Sequence, residues 1–291
     1  MDSSPFSLRR QWCQLLALTL AHAVTDTFVG ILAPVLVPLR DHYGVSLAML
    51  IFVSSLLAFS ANAFQIFIGH MRLTWSSPIL IWLGVLVAGV SVFISVLPTN
   101  SLCVVWMSII ALVAGFGVAT VHPEGLRAVH GLDKIPASLS TAVFMVAGFT
   151  GFAGGALLSS TMTETWGLGS LAWLYIAAPL AVVPLLLSGI RLPIETRKKE
   201  SALEQKDNIP NIPFLPLFIM AAVLATCSQI QATLLPTYLH KDAGYSLSFS
   251  GLSFTLFGIG GMIGAITWGA LAPRIGHLRV LLISSVIGAP A

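Results

Sequence analysis

The sequence predicts an all-α membrane protein, and three observations support that class. Hydrophobic residues make up 56% of the chain and charged residues only 9%, whereas soluble domains carry roughly 25% charged residues. Eight apolar runs each approach or exceed the roughly 20 residues that a helix needs to cross a bilayer. Basic residues fall almost entirely between alternate runs, as in multi-pass membrane proteins. Lipid is therefore the expected surroundings of most of this chain.

The eight predicted spans are numbered here in chain order. They lie near 12–39, 45–69, 77–97, 101–122, 137–161, 169–190, 214–239 and 249–272. A ninth run starts near residue 278 and has about 14 residues, fewer than a bilayer crossing needs. The first run is too long for a cleaved signal peptide and leads through a short loop into the second span.

The distribution of basic residues predicts the orientation of the spans. Of the 14 Lys and Arg residues, twelve lie before the first span or after spans two, four, six and eight, and two, Arg40 and Lys241, lie on the other side. Because cytoplasmic loops are enriched in Lys and Arg, the N-terminus and the even-numbered loops are predicted to be cytoplasmic. The expected location is the cell membrane, which in a bacterium is the inner membrane.

The spans are predicted to form two related halves. Residues 1–190 would form a six-helix bundle, 191–213 a polar cytoplasmic linker, and 214–291 an incomplete second bundle of two to three helices. Gly44 and Gly244 begin matching segments, "YGVSL" and "AGYSL", at an offset of 200 residues. A complete repeat would need about four more spans. The expectation is that this chain does not transport efficiently alone and that a second chain supplies the remaining helices.

One loop motif resembles that of the major facilitator superfamily. The segment "GALAPRIGHLR" (269–279) has the family's Gly269, Arg274 and Gly276, but Pro273 stands where the motif has an aspartate. In the equivalent loop after the second span, "GHMRLTWSSP", little of the motif remains beyond Gly69 and Arg72. The resemblance extends over about residues 15–290. It implies the major facilitator fold, with Gly269, Arg274 and Gly276 in a gating loop.

Two further segments are similar to the fosmidomycin-resistance branch of that family. They are "AHAVTDTFVGILAPVLVPL" in the first span, with His22 and Asp26, and "GFGVATVHPEGLRAVHG" in the fourth, with His122-Pro123-Glu124. The fifth-span segment "VFMVAGFTGFAGGALL" is similar as well. The branch implies secondary transport, by proton antiport, of small organic solutes out of the cell.

Asp26 and His22 are the first candidates for proton coupling. At 1.5 Å per residue they lie about 21 Å and about 15 Å along the helix from Trp12, near the middle of a hydrocarbon layer about 30 Å thick. The spacing of four residues puts both on one helix face, followed by Gly30 and Pro34. Ionisable residues inside a membrane are costly and usually functional. The alternative is a structural hydrogen bond from Asp26 to a neighbouring helix.

A second group of polar residues is predicted where the fourth span meets the cytoplasm. His122 and Glu124 are further proton-coupling candidates, since histidine titrates near neutral pH. Glu124 and Arg127 can pair, and breaking that pair would accompany opening of a gate. An ion pair that only anchors the loop is an equally good interpretation.

Other polar and small residues have weaker signals. Gly148, Gly151 and Gly155 in the fifth span predict close helix packing rather than substrate contact. Gln229 and Gln231 in the seventh span are candidates for hydrogen bonds to substrate, because they are polar side chains inside the membrane.

Several classes of function are not supported. No phosphate-binding Gly-x-x-x-x-Gly-Lys-Ser/Thr loop occurs, no catalytic triad is evident, and the basic residues form no nucleic-acid patch. The three cysteines have no metal or redox spacing, so neither metal nor cofactor is expected. The predicted function is proton-coupled efflux of a small organic solute by a non-enzymatic transporter. The alternative is a non-transporting remnant or membrane scaffold.

Overall fold

The computed structural model describes residues 5–71, 76–194 and 214–288, and within these ranges the secondary structure is entirely helical. The main helices are Pro5–Gly30, Leu36–Tyr43, Leu47–Met71, Ile79–Gly89, Cys103–His130, Ala137–Trp166, Ala177–Ser188, Phe214–Lys241, Leu247–Ile275 and His277–Gly288. Shorter 3-10 segments cover Ala33–Val35, Val90–Val96 and Leu168–Ile176. Helices satisfy their own backbone hydrogen bonds, which lipid cannot do.

Within the described residues, seven helical stretches are long and apolar enough to cross a membrane. They are Leu8–Tyr43, Leu47–Gly69, Ile79–Val96, Cys103–His130, Ala137–Trp166, Leu168–Ser188 and Leu247–Ala272. These correspond to predicted spans one to six and eight. The seventh predicted span forms the 28-residue helix Phe214–Lys241, which is not among the seven. The all-α, multi-pass fold class is confirmed.

The α-helix of the first span is interrupted after Gly30. Its first helix ends at Gly30, a 3-10 turn containing Pro34 follows, and a second helix runs from Leu36 to Tyr43. Proline has no backbone N–H to donate, so an uninterrupted helix is disfavoured there. The interruption therefore begins one turn beyond Asp26.

The fourth span is longer than predicted. The sequence placed its end near residue 122, but the helix runs from Cys103 to His130 with Pro123 inside it. Proline removes only one backbone donor, and the helix continues because its last turns pack in the protein core, where Ala128 and Val129 are buried. His122 and Glu124 therefore lie within the helix rather than at its end, and the predicted bound of the fourth span was wrong.

The spans form a bundle around the first and fourth. The first span packs chiefly on the fifth, the second and third pack on the fourth, and the eighth packs on the fifth. Leu15, Phe28 and Met107 are among the fully buried core side chains. By contrast, Ile66 and Leu187 are more than 80% exposed, as lipid-facing residues of a membrane helix are.

The turns before the second and eighth spans share their geometry. Gly44 and Gly244 both have positive φ angles, of 66° and 75°, a conformation that favours glycine. Two residues later, the hydroxyls of Ser46 and Ser246 accept hydrogen bonds from backbone N–H groups at 3.3 and 3.2 Å. Both pairs are offset by 200 residues. This local geometry agrees with a repeat, while the division into two halves and a linker stays a prediction.

Candidate functional site

Asp26 lies between two imidazole rings. Its Oδ2 is 3.2 Å from Nε2 of His22, one turn earlier in the first span, and its Oδ1 is 3.2 Å from Nε2 of His122 in the fourth span. The His22 side chain is buried, with 2% exposed, whereas Asp26 keeps 16% exposure. The structure thus brings together three of the four predicted proton-coupling residues, which we call the Asp26 cluster: His22, Asp26 and His122.

Both rings of the cluster are also held on their far sides. Nδ1 of His22 lies 2.7 Å from the carbonyl oxygen of Phe144, and Nδ1 of His122 lies 2.9 Å from that of Val118. The ring of Phe144 stacks on His22 with centroids 4.1 Å apart. Each imidazole is therefore fixed in position and points its Nε2 at the carboxylate.

The fifth span approaches the cluster closely because it has glycines there. A Cβ added to Gly148 would lie 2.6 Å from Oδ2 of Asp26 and would also overlap the His22 ring. Cβ atoms at Gly151 and Gly155 would overlap the carbonyl groups of Ala23 and Thr27 in the first span. These contacts agree with the packing role predicted for the three glycines.

A cavity of about 260 Å³ opens beside the cluster. Its lining consists of His22, Asp26, His122, Met145, Gly148, Phe149 and Phe152. The ionisable side chains of the lining thus all belong to the cluster, and the rest of the surface is apolar or aromatic, as in many sites for small organic ligands. One nitrogen or oxygen atom from each member of the cluster lies within 4.8 Å of the others.

A second cavity, of about 820 Å³, separates one end of the fifth span from the eighth. It lies between the segment from Ala137 to Val146 and the residues Ile266 and Ala270, and Met145 lines both cavities. The site beside Asp26 therefore adjoins a wide opening toward the Ala137 end of the fifth span.

At their other ends the fifth and eighth spans contact each other directly. The Thr255 hydroxyl donates to the carbonyl of Ala153 at 2.8 Å. The backbone N–H of Ser248 donates to Oε2 of Glu164 at 2.8 Å. The carboxylate thus lies at a helix N-terminus, where negative charge is favoured. The two spans are closed at the Trp166 end and open at the Ala137 end.

Glu124, the fourth predicted coupling residue, lies apart from the cluster's cavity. It is buried, and its Oε1 is 3.4 Å from Nη1 of Arg127. Arg127 also donates through Nε to the carbonyl of Pro193 at 2.9 Å, and its Nη2 contacts the same oxygen. The predicted Glu124–Arg127 pair is present, and it fastens the fourth span to the segment that follows the sixth.

The remaining predicted site residues do not meet at the cavity. Gln229 and Gln231 are exposed, and Gln229 donates to the Thr233 hydroxyl at 3.2 Å. Arg274 is exposed and bonds the carbonyl of Ala270 in its own helix at 2.8 Å. Gly276 ends the eighth-span helix with a φ of 91°. Gly269 lies inside that helix, and Arg72 lies outside the described residues, like most of the 191–213 linker.

Sequence reasoning missed the part of the site that the fifth span contributes. Phe144 holds His22, and Met145, Phe149 and Phe152 line the cavity. The sequence did contain a pattern that groups these residues, because positions 145, 149 and 152 share one helix face with Gly148. It was not distinctive, since large apolar residues occur on every face of these spans.

Comparison with known proteins identifies a family and a similar fold. A model of the Major Facilitator Superfamily matches residues 18–291. A solved structure of a bacterial homolog of the human lysosomal transporter Spinster, in an inward-facing and occupied conformation, is similar, with a TM-score of 0.63. The similarity covers 90% of this chain and 61% of that one at 15% identity, so it bears on the fold alone. This chain thus spans less than two thirds of that structure's length, and no curated protein matches the sequence.

Proposed function

The chain belongs to the Major Facilitator Superfamily, a family of membrane transporters, and from that premise we propose that it forms the proton-binding part of a secondary transporter for a small organic solute. The observation that supports this most is the position of Asp26. It is an acid inside a membrane span, held between two histidines, on the wall of a cavity. Ionisable residues in such positions often lie on ion or proton pathways.

The proposed coupling uses the Asp26 cluster as the site where protons enter and leave. His22 and Asp26 belong to the first span and His122 to the fourth, so a change in protonation alters a contact between spans. The cavity beside them would receive the solute, with Phe149 and Phe152 packing against its apolar part. Transporters of this family alternate access by rocking one bundle against the other.

The fifth and eighth spans are apart at one end and in contact at the other. This difference supports a proposal about the side of the membrane to which the cavity opens. With the N-terminus in the cytoplasm, as the basic residues predict, the Ala137 end faces the cytoplasm and the Trp166 end faces outward. The state described here would then be open to the inside, with the Glu164–Ser248 contact closing the outside. We also propose that the transporter lies in the cell membrane, moves its solute outward and belongs to the fosmidomycin-resistance branch.

Gating is assigned to residues at the cytoplasmic side. Arg127, bonded to Glu124 and to Pro193, joins the fourth span to the start of the linker. The corresponding residues of the eighth span lie at the end of its helix, where Gly269 and Arg274 belong to the last turns and Gly276 follows directly. Gln229 and Gln231 would contact solute only in a conformation that turns the seventh span toward the cavity, and a second chain would supply further helices.

The experiment is solute uptake by liposomes that contain the purified chain, alone or together with a polypeptide that supplies the remaining helices. A panel of organic cations, anions and neutral compounds is tested with and without a pH gradient. A response to the gradient for at least one compound supports the proposal. If both preparations are correctly folded and neither responds, the scaffold alternative is favoured instead.

A further inference from the structure

Two backbone carbonyls determine which nitrogen carries hydrogen in each ring of the Asp26 cluster. A carbonyl oxygen can only accept a hydrogen bond. Nδ1 of His22, 2.7 Å from the oxygen of Phe144, must therefore be the donor, and so must Nδ1 of His122, 2.9 Å from the oxygen of Val118. In a neutral imidazole with hydrogen on Nδ1, Nε2 has a lone pair and no hydrogen.

Both of these Nε2 atoms face the same carboxylate. Each lies 3.2 Å from a different oxygen of Asp26. An ionised carboxylate has acceptors only, so neutral rings would direct two lone pairs at two acceptor oxygens in a site of low dielectric. Each contact becomes a hydrogen bond when one proton lies between the Nε2 atom and the carboxylate oxygen. Two contacts therefore require two protons.

The number of protons that each side chain can supply determines where these two protons lie. Protonation of the Asp26 carboxyl group supplies only one, so at least one of the two must reside on a histidine. Imidazole also holds a proton more strongly than a carboxylate does, with reference pKa values of about 6.5 and about 3.9. With both protons on Nε2, every N–H of both rings has an acceptor, and Asp26 accepts one bond on each oxygen.

The described lining of the cavity has no ionisable side chain besides the three members of the cluster. Among the spans that pack on the first and fourth, the third has no ionisable side chain, the second has only His70 in its last turn, and the sixth only Tyr175. The seventh and eighth spans pack on the second part of the first span, and their ionisable residues are Cys227, Tyr238, His240, Lys241 and Arg274. The fifth has only Glu164, which bonds Ser248 at its far end. In the fourth span, Glu124 pairs with Arg127.

We infer that the Asp26 cluster binds two protons, one on Nε2 of His22 and one on Nε2 of His122, while Asp26 stays ionised as their shared acceptor. The transport role of these protons rests on the proposed function, but their number and position do not. Release of both converts two attractive contacts into repulsive ones. One of them joins the first span to the fourth, so deprotonation weakens the packing between these spans.

The test is solid-state NMR of the full chain in lipid bilayers with ¹⁵N-labelled histidine. Spectra are recorded between about pH 9 and about pH 5, a range that includes the ordinary titration of histidine. Loss of signals in His22→Gln and His122→Gln assigns the two rings, and His42→Gln, an exposed residue outside the cluster, is the control. Both rings should carry hydrogen on Nδ1 when neutral, and each should gain a second hydrogen on Nε2.

The Asp26→Asn variant identifies the shared acceptor. An asparagine side chain has one acceptor oxygen instead of two, so at least one of the Nε2–H groups should lose the proton shift of a strong hydrogen bond. Asp41→Asn, which alters an exposed carboxylate paired with Arg40, should leave both signals unchanged. If neither Nε2–H signal changes in Asp26→Asn, Asp26 is not their acceptor and the inference is wrong.

Two further outcomes would also overturn the inference. One is a neutral ring with hydrogen on Nε2, or a ring that never gains its second hydrogen. The other is Nε2 atoms that stay unprotonated throughout and shift when Zn²⁺ is added, because metal-bound histidines also donate their far N–H to carbonyls. A protein that binds both protons but moves no solute would refute the proposed function alone.

Discussion

The carboxylate of Asp26 and the imidazole of His122 meet at 3.2 Å, although the two residues are 96 positions apart and belong to different spans. Ionisable residues such as these are rare in a membrane interior, where an unpaired charge costs several kcal/mol. Their contact makes the pairing of the first and fourth spans depend on protons. A substitution on either side should therefore affect coupling before it affects folding.

Close packing of the first and fifth spans should depend on Gly151. A Cβ there would overlap the carbonyl group of Ala23, so Gly151→Ala forces the helices apart. Overpacking of this kind costs about 1–3 kcal/mol, and we expect a lower melting temperature in detergent. Gly154→Ala is the matched control, because a Cβ at that position meets nothing within 4 Å. Equal melting of the two variants would contradict the helix contact.

The ion pair between Arg127 and Glu124 should contribute measurably to stability. Arg127→Met removes that pair and the hydrogen bonds to Pro193, in a place where Glu124 is buried. Hydrogen bonds to charged groups contribute about 1.5–3 kcal/mol, so we expect a clear loss in thermal or denaturant unfolding. Arg40→Met removes an exposed pair with Asp41 and should cost at most about 1 kcal/mol. A loss no larger in Arg127→Met than in Arg40→Met would show that the pair is dispensable.

The fold class could be predicted because lipid imposes it. Apolar runs of sufficient length leave the backbone no alternative to helix, and seven of the eight predicted spans meet the criteria of length and composition. The end of the fourth span was missed because Pro123 resembles a helix end, whereas packing of the following turns keeps the helix intact. Local signals cannot report such tertiary support.

The site was only partly predictable for a similar reason. The spacing of four residues placed His22 and Asp26 together, since that relation lies within one helix. The contact with His122 depends on how the first and fourth spans pack, and the role of Phe144 depends on a carbonyl group, which every residue has. Glu124 seemed equivalent to His122 in sequence, but it turns toward Arg127 instead.

The orientation of the spans has a direct chemical test. In a background without Cys13, Cys103 and Cys227, single cysteines replace Lys198 in the linker and Lys241 at the end of the seventh span. Because twelve of the 14 basic residues lie on the predicted cytoplasmic side, a membrane-impermeant thiol reagent should label position 241 in intact cells and position 198 only after lysis. The reverse pattern would overturn the predicted topology.

The central claim is that protons at the Asp26 cluster drive solute movement, and Asp26→Asn tests it most directly. The measurement is internal pH in liposomes loaded with a pH-sensitive dye, after addition of the solute that gives the largest response in the panel. In the preparation that also contains the remaining helices, we expect the unaltered protein to exchange protons for solute. We expect Asp26→Asn to abolish that proton movement while solute exchange at equal pH and the melting temperature are retained. Asp41→Asn should behave like the unaltered protein. Undiminished proton movement in Asp26→Asn, or a variant that no longer folds, would contradict the account.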